Sequence, residues 1–165
     1  MTTKTMLEIN KSSRHSKITG DFAEGLVLYW LSKHGFETAR VDHTGIDLIA
    51  RNPQTNELMG ISVKSRSRQV GTEKDYLGIP NENFIKIDKA CEAFGCVPYF
   101  AILVDAAETI VIYILSKEKL LEMFPMGKTI SAWKMNENYT EKYKNDKDIK
   151  IVEFKYETLN WWTKD

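Results

Sequence analysis

Asp47 and Lys64 are the residues whose types and spacing could do chemistry. They lie on two short alternating apolar runs, Ile46 to Arg51 and Leu58 to Lys64, joined by a loop from Asn52 to Glu57 that opens on Asn52-Pro53. Alternation on both sides of a turn reads as a β-hairpin. A hairpin symmetric about that loop sets Asp47 opposite Lys64 and Ile49 opposite Ser62. Asp47, Ile49, Ser62 and Lys64 then share one face, and Ile46, Leu48, Met59, Ile61 and Val63 share the other, because side chains alternate along a strand. A carboxylate and an ammonium stand together at the open end of such a hairpin. Asp47, with backbone carbonyls and water, could hold a divalent cation, while Lys64 polarises a water for attack on phosphorus and offsets charge in the transition state. The same two residues would also serve as a cross-strand salt bridge, worth under about 1 kcal/mol if exposed.

The elements that must position this pair can be read on either side of it. From Asp21 the pattern is helical, with Phe22, Leu26 and Trp30 on one stripe, Ala23, Val27 and Leu31 beside it, and Gly35 as the stop. Phe36 to Val41 reads as a strand. Ser65 to Tyr76 is polar and basic and reads as a loop or frayed strand end. Asn83 to Phe94 is expected to be a helix closed by Gly95, with Phe84, Ile87, Cys91 and Phe94 at three-to-four spacing. Val97 to Val104 and Thr109 to Leu115 are continuous apolar runs and read as buried strands. Ser116 caps a short helix through Phe124. Beyond Pro125 the signal weakens: Ile130 to Met135 is a candidate strand, Asn136 to Asp146 is polar, and Ile149 to Tyr156 alternates as an edge strand. The expected organisation is a basic lead-in at 1–17, disordered until bound, then an α/β core at 18–125 and an extension at 126–165 packed on it. A hairpin group ahead of a crossover helix implies a mixed central β-sheet flanked by helices.

Four segments in this order, Gly20-Asp-Phe-Ala-Glu24, His34-Gly-Phe36, Gly45-Ile-Asp47-Leu-Ile-Ala50 and Ile61-Ser-Val-Lys64-Ser-Arg66, resemble the PD-(D/E)XK nuclease superfamily. The nearest likeness is to archaeal Holliday-junction resolvases and restriction-endonuclease-like proteins, over roughly residues 16 to 115. The resemblance implies a restriction-endonuclease-like fold, a Mg²⁺ or Mn²⁺ cofactor, DNA as partner, and a homodimer. It gives Asp47 the role of metal-binding aspartate, Lys64 that of catalytic lysine, and Glu24 that of the helix-borne glutamate assisting the metal. Ser62 departs from the pattern, which has Glu or Gln there. The missing ligand would come from the following helix, with Glu82, Asp88 or Glu92 as candidates, or else the site is degenerate and the protein binds nucleic acid or a protein partner without cleaving. Glu24 has a second reading, since Asp21-x-x-Glu24 at a helix start is a capping-box-like pattern. A plain α/β interaction domain with an incidental Asp–Lys pair is the third alternative.

Around the same mouth, Arg66, Arg68, Arg14, Lys17, Arg40 and His43 are candidate DNA contacts, with a solvated loop face as the alternative for the two strand-end arginines. A basic rim is compatible with the overall balance of 23 Lys+Arg against 23 Asp+Glu, because a partner responds to the local field. The same balance excludes a histone-like basic protein. No apolar run approaches the ~20 residues that cross a bilayer, and Met1 to Asn10 lacks a signal-peptide core, so a cytoplasmic protein is expected. No Gly-Lys-Ser/Thr phosphate loop occurs. Cys91 and Cys96 match no zinc spacing and are expected as reduced, buried thiols. Trp30, Phe84, Phe94 and Phe100 are expected in the core, His15 and His34 have no ligand spacing, and Trp161 and Trp162 read as a clamp or an interface anchor.

Overall fold

In the computed structural model, residues 9–162 are described. Four helices and eight strands follow in the order α1 (His15–Lys33), β1 (Glu37–His43), β2 (Ile46–Arg51), β3 (Leu58–Ser67), β4 (Leu77–Pro80), α2 (Asn81–Phe94), β5 (Val97–Ala106), β6 (Thr109–Ser116), α3 (Lys117–Met123), β7 (Ile130–Trp133), α4 (Glu137–Lys144) and β8 (Lys150–Lys155). Six strands form the central sheet in the order β1-β2-β3-β5-β6-β8. Only β3 and β5 run parallel; α2 is the crossover between them, so the sheet is mixed as expected. A second, two-stranded sheet pairs β4 with β7.

The two faces of the sheet carry two cores. On one, Ala23, Val27 and Leu31 of α1 meet Leu48, Ala50, Met59, Ile61, Ala101 and Leu103. Their four-residue spacing continues one turn earlier at buried Thr19, and this stripe fixes how α1 lies on the sheet. On the other, Phe84, Ile87 and Cys91 of α2 meet Phe100, Ile102 and Val104. Gly35 and Gly95 end α1 and α2 with φ of 87° and 66°, the left-handed conformation that glycine adopts without penalty.

Several expectations are corrected. α1 begins at His15, six residues before the expected start, which puts Asp21 in the helix interior, paired with Lys17 at 3.1 Å. The capping-box reading of Glu24 therefore fails. Of the expected lead-in, residues 1–8 lie outside the described residues; Lys11 Nζ donates to the Ser67 carbonyl at 2.7 Å and so ties the segment before α1 to the end of β3. β4 and α4 were not expected. Phe94 is 42% exposed and lies edge-on to His43, whereas Phe84 and Phe100 are core. Trp161 and Trp162 are exposed and pack on each other, not on the core. Cys91 is buried, Cys96 half-buried, and both are unbonded thiols.

The hairpin register differs by two residues from the symmetric one. Leu48 pairs with Ile61 and Ile49 with Gly60, which places Asp47 across from Ser62 instead of Lys64. A two-residue shift keeps every side chain on its face. Ile46 is the exception: it packs in the α2-side core, beyond the turn at Gly45.

Candidate active site

Asp47 stands where the β2–β3 ladder ends. The paired residues stop at Leu48 and Ile61, and the Val63 N–H on the next stretch of β3 donates to Asp47 Oδ2 at 2.7 Å. One carboxylate oxygen thus replaces a strand partner, and the other stays available. Ser62, across from Asp47, is 4% exposed. Lys64 is half-buried, and its Nζ donates to Asn83 Oδ1 at 2.8 Å. No ion pair within 4.0 Å joins it to Asp47 among the described residues, so the simple cross-strand salt bridge is not what the hairpin builds. The register explains why: Lys64 sits one same-face step beyond the residue facing Asp47.

Glu24 reaches this region from α1, close enough for its charge and that of Asp47 to act on each other. Its carboxylate is 3.3 Å from the Arg40 guanidinium. Gly25 makes room for that arrangement, because a Cβ there would lie 3.3 Å from the Arg40 Nη2. Burial pushes the Asp47 carboxyl up from its ordinary range, opposed by the Val63 N–H and the Lys64 charge. Glu24 is raised in the same direction, first by burial and then by Asp47. Burial pushes Lys64 down, against the pull of Asp47, with Arg66 and Lys86 adding to the fall. All three shifts disfavour the charged form, and burial is the largest cause of each.

α2 closes the site from the other face of the sheet, and contacts that sequence reading missed hold it there. Gly45, in the β1–β2 turn with φ of 100°, sits so close to the helix backbone that a Cβ would be 2.3 Å from the Lys86 carbonyl oxygen. Two residues after that turn comes Asp47; one helical turn before Lys86 comes Asn83. The pattern offered no signal for Asn83, an ordinary polar residue in a first turn, because its partner is 19 positions away in sequence. Gly45 was visible in the motif, though the need for close approach was not.

The remaining candidates are placed as follows. Glu82 pairs with Lys86 at 3.3 Å and Asp88 with Lys117 at 2.7 Å; Glu92 is exposed. None of these carboxylates is engaged with Asp47 or Lys64. Arg66 is exposed, with Nη1 on the Ser65 carbonyl at 2.7 Å. Arg68 turns inward, Nη2 donating to the Tyr76 carbonyl at 2.9 Å, and so ties down the loop that follows β3. Arg14 is exposed at the N-cap of α1, Lys17 is engaged with Asp21, and His43 is exposed against Phe94. His15 bonds Ser67 Oγ at 3.0 Å, and His34 the Trp30 carbonyl at 2.9 Å.

Asp47, Glu24, the Ser62 hydroxyl and nearby carbonyls are hard oxygen donors. Among the described residues no group of three or more His, Cys, Asp or Glu could hold a metal. Two carboxylates suit Mg²⁺, which keeps several waters and takes one or two protein carboxylates. A groove of about 740 Å³, lined by Trp30, Glu57, Met59 and Tyr99, opens at the opposite end of β3, and none of Glu24, Asp47 and Lys64 lines it. No described helix is long and apolar enough to cross a membrane.

No protein-family model matches the sequence, and no curated protein matches it. Among solved structures, Hjc, a Holliday junction resolvase from the archaeal hyperthermophile Archaeoglobus fulgidus, matches with a TM-score of 0.52 and 19% identity over 70% of this chain and 83% of that one. At that identity the likeness is one of fold. The mixed α/β sheet, with its hairpin at β2–β3 and its single parallel crossover, is the fold shared with Hjc, a restriction-endonuclease-like one.

Proposed function

We propose that this chain is a divalent-metal-dependent DNA phosphodiester hydrolase, endonuclease or resolvase-like, centred on Asp47 and Lys64. The reading is supported by the fold shared with Hjc and by the place of Asp47 at the end of the β2–β3 ladder, where its charge acts on Glu24 from one side and Lys64 acts on it from the other. Asp47 and Glu24 would hold Mg²⁺ or Mn²⁺, which supplies charge neutralisation at the phosphate and a more acidic water. Lys64 positions the attacking water and offsets charge on the phosphoryl oxygens. Arg66 and Arg14 lie exposed for phosphate contact. The test is cleavage of labelled linear and four-way-junction DNA with Mg²⁺, with Mn²⁺ and with chelator. Metal-dependent cleavage by the parent, lost in Asp47→Asn, is expected; equal cleavage by both would sink the assignment.

A second reading, a silent member that binds without cleaving, is favoured by one observation: Ser62 faces Asp47 where a carboxylate would complete the ligand set. Ser62→Glu separates the two. It sets a second carboxylate across from one already raised by burial, so the variant should melt below the parent in chelator and gain more from Mn²⁺. If the parent is silent and the variant cleaves, the degenerate reading holds. If the parent cleaves, that reading is finished.

A further inference from the structure

We propose that Asn83 is the positioning residue for Lys64, and that the small β4–β7 sheet braces it. The inference rests on the nuclease reading for its catalytic meaning and on geometry for the tether itself.

A lysine stem has four rotatable bonds, so an ammonium beside a cleft samples many positions unless something holds it. Here a single acceptor does: Asn83 Oδ1 takes a hydrogen bond from Lys64 Nζ at 2.8 Å. The amide cannot turn to offer its nitrogen instead without losing a second bond, since Nδ2 donates to the Pro80 carbonyl at 3.3 Å. A carboxylate at position 83 would also hold Lys64, but as an ion pair that competes with the phosphate for the ammonium. A neutral amide fixes the position and leaves the charge uncompensated for substrate.

What holds Asn83 comes from far along the chain. Pro80 ends β4 and pairs with Ile130 of β7. Asn81, the first residue of α2, donates its N–H to the Thr129 carbonyl at 2.9 Å and its Nδ2 to the Gly127 carbonyl at 3.0 Å. From the opposite direction, the β1–β2 turn seats Gly45 on Lys86 and Ile87, one turn below Asn83. The first turn of α2 is thereby clamped between the turn that leads into Asp47 and the segment 127–130, and Lys64 hangs from it. The β4–β7 pair has no other evident part in the site. Its function is to set the height of α2 over the end of β3.

The test compares the full-length parent with Asn83→Leu, which keeps the shape but removes the acceptor, and Asn83→Asp, which restores an oxygen. In spectra selective for labelled lysine, a held Lys64 shows two inequivalent Hε protons. That splitting should be present in the parent, collapse in Asn83→Leu, and persist in Asn83→Asp. With DNA and Mg²⁺, Asn83→Leu should lose about 10²-fold in kcat, the size of effect a misplaced reacting group produces, with KM within twofold. Asn83→Asp, which holds the ammonium but also pairs with it, should recover only part of that loss. An unchanged Hε pattern in Asn83→Leu overturns the tether, whatever the activity. An equal loss in both variants with the splitting retained overturns the positioning role. If the parent itself fails to cleave, the nuclease reading falls while the Hε spectra still decide the tether. Should Asn83→Leu melt well below the parent, Asn83→Ser, with a shorter oxygen, replaces it, and a full kcat there counts against the proposal.

Discussion

The Asp47 carboxyl is raised by burial, and only one N–H and a nearby ammonium oppose the rise. A carboxyl whose folded pKa exceeds its unfolded value contributes stability that is complete below the unfolded pKa and is lost as pH rises through the folded one. Above that value the charge is a standing cost to the fold. Asp47→Asn removes the titration while an amide oxygen can still accept from Val63. The variant should therefore gain on the parent as pH rises from about 4, as read by thermal melts in chelator. A gap that closes as pH rises would show that the carboxylate is not strained by its burial. The two strand-end arginines separate in the same way. Arg66→Ala should weaken DNA binding and flatten its salt dependence with little change in melting, because its guanidinium faces solvent. Arg68→Ala should chiefly loosen the loop through Tyr76, seen as faster proteolysis there. The sequence shows arginine types at both positions, and alternation cannot say which turns inward. Asp47 and Lys64 were legible because alternation and spacing are local; Asn83 was not, because the contact that gives it meaning is tertiary.

Among the elements, glycine stops at 35 and 95 and the Ser116 cap were readable, since each acts on its own helix end. The helix α4 was not, being polar almost throughout with Tyr143 alone buried. Its start is marked only by Asn136, whose side chain accepts from the Tyr139 N–H at 3.3 Å. β4 is four residues ending in Pro, too short for an alternation to register. Two glycines make the difference between local and tertiary demand measurable. Gly20 lies within α1 with nothing inside 4 Å of a built Cβ, so Gly20→Ala should stabilise by about 1 kcal/mol, a rise in Tm of roughly 2–4 °C. Gly45→Ala combines a left-handed φ of 100° with a Cβ 2.3 Å from the Lys86 carbonyl oxygen. It should cost at least about 2 kcal/mol and, by lifting the turn from α2, reduce cleavage beyond what the lower stability explains. A neutral result at Gly45 would mean that the turn and α2 are not docked.

At the scale of the whole molecule, the segment expected as an extension supplies parts the fold cannot spare. β8 pairs with β6 from Thr109 to Ile114 and forms the sheet edge beyond it. Trp133 and Tyr143 have no exposed surface, stack at 4.2 Å, and complete one core with Phe84 and Phe100, the residues beneath the candidate site. Sequence reading found this strand and its edge position but not its partner, since which strand it joins depends on which edge is left open once β5 and β6 have paired. Removal of residues 126–165 would therefore do more than trim a tail. It would strip the partner of β6, leave Tyr113 and Phe124 facing the gap left by Trp133 and Tyr143, and release the end of β4 from Ile130. Loss of one buried Trp side chain alone costs about 3–5 kcal/mol against a total stability of about 5–15 kcal/mol. A chain ending at Pro125 should accordingly show no cooperative melt and no near-ultraviolet dichroism from packed aromatics. Trp133→Ala in the full chain should still fold, with a Tm lower by at least about 6 °C. If the shortened chain melted cooperatively and cleaved DNA, the β4–β7 brace and the sixth strand would be dispensable, and the site would have to be held by residues 9–125 alone.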